Sequence, residues 1–196
     1  MTKHRKSWIA LFVAAAALAA TTAVASTVIG LSIEDQARLS KLVVVGHVVQ
    51  QRGVEHPTNG IETEVTLQVT DVLKGAVRRG ERVVFHTRGG EVDGEISEAV
   101  GEATFRNGQR ALVFVEAVEG RPYLLGLSMG AWDVQEDRSG NASFRRALRD
   151  GLEVYGGDEV EMGPVSMRDM RSRVSWAERR PEFDQPLLRD AATRGR

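Results

Sequence analysis

Residues 61 to 75 read Ile-Glu-Thr-Glu-Val-Thr-Leu-Gln-Val-Thr-Asp-Val-Leu-Lys-Gly, and this stretch decides the fold. Side chains alternate across an extended chain, so every second residue points to the same face. One face would carry Ile61, Thr63, Val65, Leu67 and Val69, and the other Glu62, Glu64, Thr66, Gln68 and Thr70. This period of two predicts a long strand with one buried face.

Further strand-like segments surround this one. They are Leu42 to Val49, Arg82 to Thr87, Arg110 to Glu116, Tyr123 to Leu127 and Ala131 to Gln135. Gly46 interrupts the first of them, which predicts a bulge or bend. Short strands separated by glycine turns, without long helices between them, are typical of a small closed or sandwiched antiparallel sheet. We therefore predict a β-barrel domain over residues 41–136.

The flanking segments predict two helices and a tail. Ser32 can cap a short helix within residues 26–40, and Ser166 can cap a second helix that begins at Met167. Residues 137–176 form a C-terminal extension, in which Phe144 to Val154 fits a strand pair or a short helix equally well. Residues 177–196 combine charges and prolines with little apolar periodicity, which predicts disorder. The predicted class is mainly β.

The first 25 residues have the pattern of a signal peptide. A basic head ending at Lys6 precedes thirteen apolar residues, Trp8 to Ala20, too few for a bilayer span. Small residues at Ala23 and Ala25 predict cleavage before Ser26 and export to the periplasm or medium. An uncleaved membrane anchor is the alternative.

Charge and cysteine content limit what the chain can bind and how it is held together. The chain has 26 basic and 27 acidic residues, and the leader holds three of the basic ones, so the mature chain has a net charge of −4. An acidic body argues against nucleic acid, which is bound largely through Lys and Arg. The chain has no cysteine, so burial must hold it together without disulfides.

The glycine-rich loop from Arg88 to Gly108 is the candidate binding site. Arg88 can reach a ligand carboxylate, because it precedes a pair of glycines that give the backbone freedom. The predicted binding residues are Arg88, Gly89, Gly90, Glu91 and Asp93.

No catalytic, metal or cofactor site is predicted. Ser128 lies in a Gly-x-Ser-x-Gly pattern, but all four histidines precede it, whereas hydrolases with this motif place the histidine after the serine. The separations of His47, His56 and His86 fit no compact metal motif, and the alternation of strand residues places His86 outward. The acidic residues of the loop lack the ordered spacing of a calcium hand.

The order of strands resembles exported bacterial proteins of unassigned function and the netrin-like module of tissue inhibitors of metalloproteinases. The resemblance rests on the Leu42–Val49 segment, on Val72-Leu73-Lys74-Gly75, and on Phe105 and Gly108 before Ala111 to Phe114. It implies an OB-like barrel. It also implies an alternative function, in which the amino terminus at Ser26 inhibits an extracytoplasmic metalloprotease. That family uses an N-terminal cysteine, which this chain lacks. The favoured prediction is a non-enzymatic exported module that binds a protein partner or ligand through its loops.

Overall fold

A computed structural model describes residues 26–146, 148–155 and 160–180. The N-terminal part comprises β1 (Ser26–Ile29), α1 (Ile33–Leu39), β2 (Leu42–His56), β3 (Gly60–Lys74), β4 (Arg82–Arg88), β5 (Gly90–Val92) and β6 (Glu95–Ser97). The C-terminal part comprises β7 (Arg110–Val118), β8 (Arg121–Leu124), β9 (Ala131–Glu136), β10 (Ala142–Arg146), β11 (Leu152–Tyr155), β12 (Val165–Ser166) and α2 (Met167–Glu178). The protein is mainly β, as predicted.

Five strands form a partly closed ring. β2 pairs antiparallel with β3 and β7, β3 pairs antiparallel with β4, and β7 pairs antiparallel with β8. One parallel bridge between His86 and Tyr123 joins β4 to β8 and completes the circuit. Strands β9, β10 and β12 extend the same sheet outward from β7, so the sheet has eight strands.

Two apolar cores lie on the two sides of the ring strands. The inner core takes alternate residues, such as Val44 of β2, Val65 of β3, Phe85 of β4 and Val113 of β7. The outer core takes the residues between them, including Val43 and Phe114, and is covered by the two helices. Strands buried on both faces must be apolar in almost every position, which explains the continuous run Leu42 to Val45.

The predicted helix caps are confirmed. Ser32 Oγ accepts a hydrogen bond from the Asp35 amide at 3.0 Å, and Ser166 Oγ accepts one from the Asp169 amide at 3.1 Å. Each bond satisfies an amide that the first turn of a helix leaves without a partner. The bulge predicted at Gly46 is also present, as a shift in the register between β2 and β3.

Several boundaries differ from the sequence prediction. β2 runs on to His56, seven residues beyond the predicted end at Val49, because pairing with β3 continues to Gly60. The loop predicted from Arg88 to Gly108 contains the β5–β6 hairpin. Phe144 to Val154 contributes two extended segments: β10 pairs with β9 and β12, and β11 pairs with β1.

The helix α2 ends at Glu178, two residues inside the stretch for which disorder was predicted. Ala177 is buried against the outer core, which explains the extension. Residues 1–25 and 181–196, which hold the predicted leader and most of the predicted tail, lie outside the described residues. Within the described ranges, neither helix is long and apolar enough to cross a membrane.

Candidate functional site

A cavity of about 610 Å³ opens beside the end of β4 and is called the hairpin cavity. Its wall consists of Thr87 to Glu91, Ile96 to Phe105, and Arg149 and Asp150 from the segment before β11, with Gln51 and Thr63 behind them. Four of the five predicted binding residues, Arg88, Gly89, Gly90 and Glu91, line it together. The fifth, Asp93, is not in this wall.

Asp93 has a different role, in the turn of the hairpin. Its φ is 52°, and Gly94 follows with φ 86°. Positive φ at both central residues is the geometry of the two-residue turn that Asp-Gly favours between antiparallel strands. Asp93 is exposed at the tip of the β5–β6 hairpin and shapes the cavity through the backbone alone.

The glycines after Arg88 are held in place by hydrogen bonds. The Gly89 amide donates to the Ile61 carbonyl at 3.0 Å, and the Gly89 carbonyl accepts from Thr63 Oγ1 at 2.8 Å. A Cβ at Gly89 would lie 2.7 Å from the Ser97 carbonyl oxygen. The prediction of a freely moving glycine loop is therefore wrong at this position. These glycines permit close packing and a left-handed backbone.

Gly53 of β2 lies against Glu91 behind the cavity wall and was not among the predicted site residues. A Cβ at Gly53 would lie 1.8 Å from the Glu91 carbonyl oxygen, so β5 can approach β2 only over a glycine. Glycine inside a strand can mark a close backbone approach, and this signal is present in the sequence.

Glu102 ties the loop 99–105 to the end of β4. Its carboxylate is buried and accepts one hydrogen bond from the Arg88 amide and one from the Ala103 amide, each at 3.0 Å. Burial raises the pKa of Glu102 above its usual value, although both bonds and the Arg88 charge oppose the rise. The Arg88 guanidinium is exposed and forms no hydrogen bond or ion pair with any described residue. It is therefore available to a ligand.

A second cavity, of about 400 Å³, lies next to the first and is called the Ser26 cavity. Arg88 and Glu102 border both cavities, and Ser26, Glu116 and Tyr123 line this one. The structure thus brings the predicted mature terminus to the same region as the predicted loop.

The Ser26 backbone is anchored in this second cavity. Its amide donates to the Gly151 carbonyl at 2.9 Å, and β1 pairs in parallel with β11. Burial raises the pKa of Glu116, against the opposing effects of the Gly126 amide and the Arg88 charge.

Ser128 lies in a short 3-10 turn between β8 and β9. It is fully buried, and its hydroxyl accepts a hydrogen bond from the Arg149 amide at 3.2 Å. Ser128 thus joins the turn to the backbone at Arg149.

The three strand histidines have separate surroundings. His47 is exposed, and His56 Nδ1 accepts a hydrogen bond from the Asn59 amide at 3.2 Å. His86 was predicted to point outward, yet it is 8% exposed because β8 packs beside it, with Nδ1 3.0 Å from the Pro122 carbonyl oxygen. Among the described residues, no group of three or more His, Cys, Asp or Glu side chains could hold a metal ion.

Glu62 is the clearest departure from the strand pattern. Alternation placed it on the solvent side of β3, but it is completely buried. Tyr123 Oη donates to its carboxylate at 2.7 Å, Arg121 at 3.2 Å and Asn59 at 3.2 Å. The donors come from β8 and from the β2–β3 turn, so no local pattern in β3 could have revealed them.

Comparisons with known proteins add no assignment. No model of a known protein family matches the chain, and a search of curated proteins finds no significant relative.

Proposed function

We propose that the chain is an exported, non-enzymatic OB-type β-barrel module that binds a segment of a partner protein in the hairpin cavity. The observation that carries the proposal is the Arg88 guanidinium, exposed at a cavity of about 610 Å³ and without a hydrogen bond or ion pair to any described residue. An exposed arginine without a hydrogen-bonded partner of its own can form a bidentate pair with a carboxylate of the partner.

The strand pairing supports the barrel. Five strands make the circuit, and its weakest join is the single bridge between β4 and β8. An OB-fold is a five-stranded, partly open barrel, so number and openness both agree with it. The sheet would supply a rigid base, and the hairpin and loop beside Arg88 would supply the contact surface, as is common for binding proteins.

The wall of the hairpin cavity favours a polypeptide. It presents Ile96, which is 69% exposed, beside charges of both signs, Arg88 and Arg149 against Glu91, Glu98 and Asp150. A partner segment with an apolar side chain flanked by mixed charges would match this surface. A strongly charged small anion would meet too many carboxylates.

The buried, hydrogen-bonded Ser128 agrees with a module that performs no catalysis. The alternative, inhibition of a metalloprotease through Ser26, would require that terminus to chelate zinc. Ser26 is fixed along β11 by its bond to the Gly151 carbonyl and by the strand pairing, so a protease would have to dock against β11 to reach it. We therefore place binding in the hairpin cavity first.

Site-specific photo-crosslinking tests the proposal. A photoreactive residue at Ile96 should give a discrete adduct in the native envelope fraction, and Arg88→Ala should reduce its yield about tenfold, as expected for a lost charge-assisted contact. The same residue at Met162, which is exposed but outside both cavities, is the control. Equal adducts at both positions, or no loss with Arg88→Ala, would contradict the proposal.

A further inference from the structure

We infer that the Ser26 cavity is a receptor for the chain's own amino terminus, which becomes an ammonium group when the leader is removed. The inference rests on the predicted cleavage before Ser26 and requires no partner in the hairpin cavity, with which the Ser26 cavity shares Arg88 and Glu102. Cleavage is a hydrolysis: water adds across the Ala25–Ser26 amide, leaving a carboxylate on Ala25 and an ammonium on Ser26.

Ser26 has a fixed position in the fold. β1 begins at this residue, and its nitrogen is held 2.9 Å from the Gly151 carbonyl oxygen by the parallel pairing with β11. The nitrogen has one hydrogen in the uncleaved chain and three after cleavage. One of them can keep the bond to Gly151, and the other two become available to the cavity that Ser26 lines.

The charges that line this cavity are unbalanced. Its ionisable side chains are Arg88 from β4, Glu102 from the loop, Glu116 from β7 and Tyr123 from β8. Two carboxylates against one guanidinium leave one negative charge in excess. The Arg88 charge acts on both Glu102 and Glu116, and backbone amides bond each of them, yet burial still raises the pKa of both. An ammonium at Ser26 would bring the cavity to neutrality.

The two carboxylates are partly removed from water. Glu102 is 8% exposed, and Glu116 is partly buried, so water screens them incompletely. Two backbone amides bond Glu102 and one bonds Glu116, and a second positive charge nearby would stabilise both carboxylates further. The terminus is already tethered in the cavity wall, so this cation is present at a high effective concentration and needs no binding from solution.

The direct test is the pKa of the α-amine in a chain prepared to begin at Ser26. Competitive acetylation at a series of pH values, read by mass spectrometry, gives the pKa of the terminus separately from those of Lys41 and Lys74, the two lysines of this chain. The amine should titrate about one unit or more above the ordinary range of about 7.7–8.0, as expected near an opposite charge. Glu116→Gln should remove much of the rise, while Glu98→Gln, an acid outside this cavity, should leave it unchanged.

Acetylation of the terminus provides a measurement that needs no substitution. A raised amine pKa stabilises the fold below the unfolded pKa and loses that effect as the pH rises through the folded pKa. At pH 7 the acetylated chain should therefore melt about 2–4 °C lower than the free-amine chain. The two should converge near pH 10. Two results would overturn the inference: an amine pKa in the ordinary range that does not change with Glu116→Gln, or equal melting temperatures of the acetylated and free-amine chains at pH 7.

Discussion

Tyr123 Oη donates a 2.7 Å hydrogen bond to the carboxylate of Glu62, a side chain with no solvent exposure. The bond joins the first residues of β3 to β8, beside the single bridge that closes the ring. Burial by itself raises the pKa of Glu62, but the hydrogen bonds from Tyr123 and Asn59 and the charge of Arg121 outweigh it, so the pKa lies below its usual value. A buried, ionised acid thus lies beside the bridge that closes the ring.

Tyr123→Phe should lower the free energy of unfolding by about 1–3 kcal/mol. The substitution keeps the aromatic side chain but removes a hydrogen-bond donor from the buried Glu62 carboxylate. Urea denaturation measures the change. The chain has one other tyrosine, Tyr155, which is 67% exposed, and Tyr155→Phe should change stability by less than about 0.5 kcal/mol. Equal effects of the two substitutions would show that the Glu62 bond adds nothing.

Arg146→Met should leave the free energy of unfolding unchanged or raise it by about 1 kcal/mol or more. The substitution removes a charge that is costly to bury. Arg146 is 2% exposed, and burial lowers its pKa to about 9. Its contacts are weak: Met129 Sδ at 3.3 Å, the Leu31 carbonyl at 3.4 Å and the ring of Trp132 at 4.4 Å.

Thermal and urea unfolding of Arg146→Met, compared with the exposed neighbour Arg145→Met, measure the balance for this buried cation. A loss above about 2 kcal/mol specific to Arg146 would mean that the stacking on Trp132 outweighs the burial of the charge.

Asp71→Asn should destabilise the protein by about 1 kcal/mol at pH 7, and the loss should shrink as the pH falls below 3.8. Asp71 accepts hydrogen bonds from Arg79 and Arg171, each at 2.9 Å, and so ties α2 to the end of β3. Burial opposes these bonds, but they prevail and lower the pKa of Asp71. A lowered pKa gives stability that is present above the unfolded pKa of 3.8 and is lost as the pH falls through the folded value.

Unfolding of Asp71→Asn and wild type at pH 7, 4.5 and 2 measures this difference. Asp150→Asn, an exposed acid outside the contact with α2, is the matched control. A difference that stays constant over the whole pH range would refute the ionic origin of the effect.

Gly53→Ala should disrupt the hairpin cavity, because a Cβ at Gly53 would meet the Glu91 carbonyl oxygen at 1.8 Å and β5 would have to move away. Hydrogen exchange at residues 90–97 should increase, and stability should fall by about 1–3 kcal/mol. Gly60→Ala has space around its Cβ and tests backbone strain alone at φ 76°. If the hairpin amides exchange equally in both variants, the close approach of β5 to β2 has no consequence.

The predicted processing of the leader can be checked by intact mass and N-terminal sequencing of protein from the extracytoplasmic fraction. The pattern of small residues before Ser26 predicts that the chain begins there. Recovery of a chain that starts at Met1 or Thr2 in the membrane would establish the anchor alternative. It would also remove the free amine on which inhibition through Ser26 depends.

The sequence determined the features that depend on neighbouring residues. The serine caps of both helices, the buried face at Val65 and Leu67 of β3, the bulge at Gly46 and the strands β4, β7 and β9 were predicted from local patterns. Four residues of the hairpin cavity were also found, because Arg88 to Glu91 are adjacent in the chain.

Only the tertiary structure decided what packs against each strand. Glu62 is buried because β8 lies beside it, 59 residues further on at Arg121, and Arg146 is buried where it meets the Leu31 carbonyl, 115 residues away in the chain. Ser26 borders the same cavity as Arg88 because β1 pairs with β11, far along the chain. Alternation in a strand fixes which way a side chain points, but its burial depends on distant segments that close over it, and no local pattern encodes them.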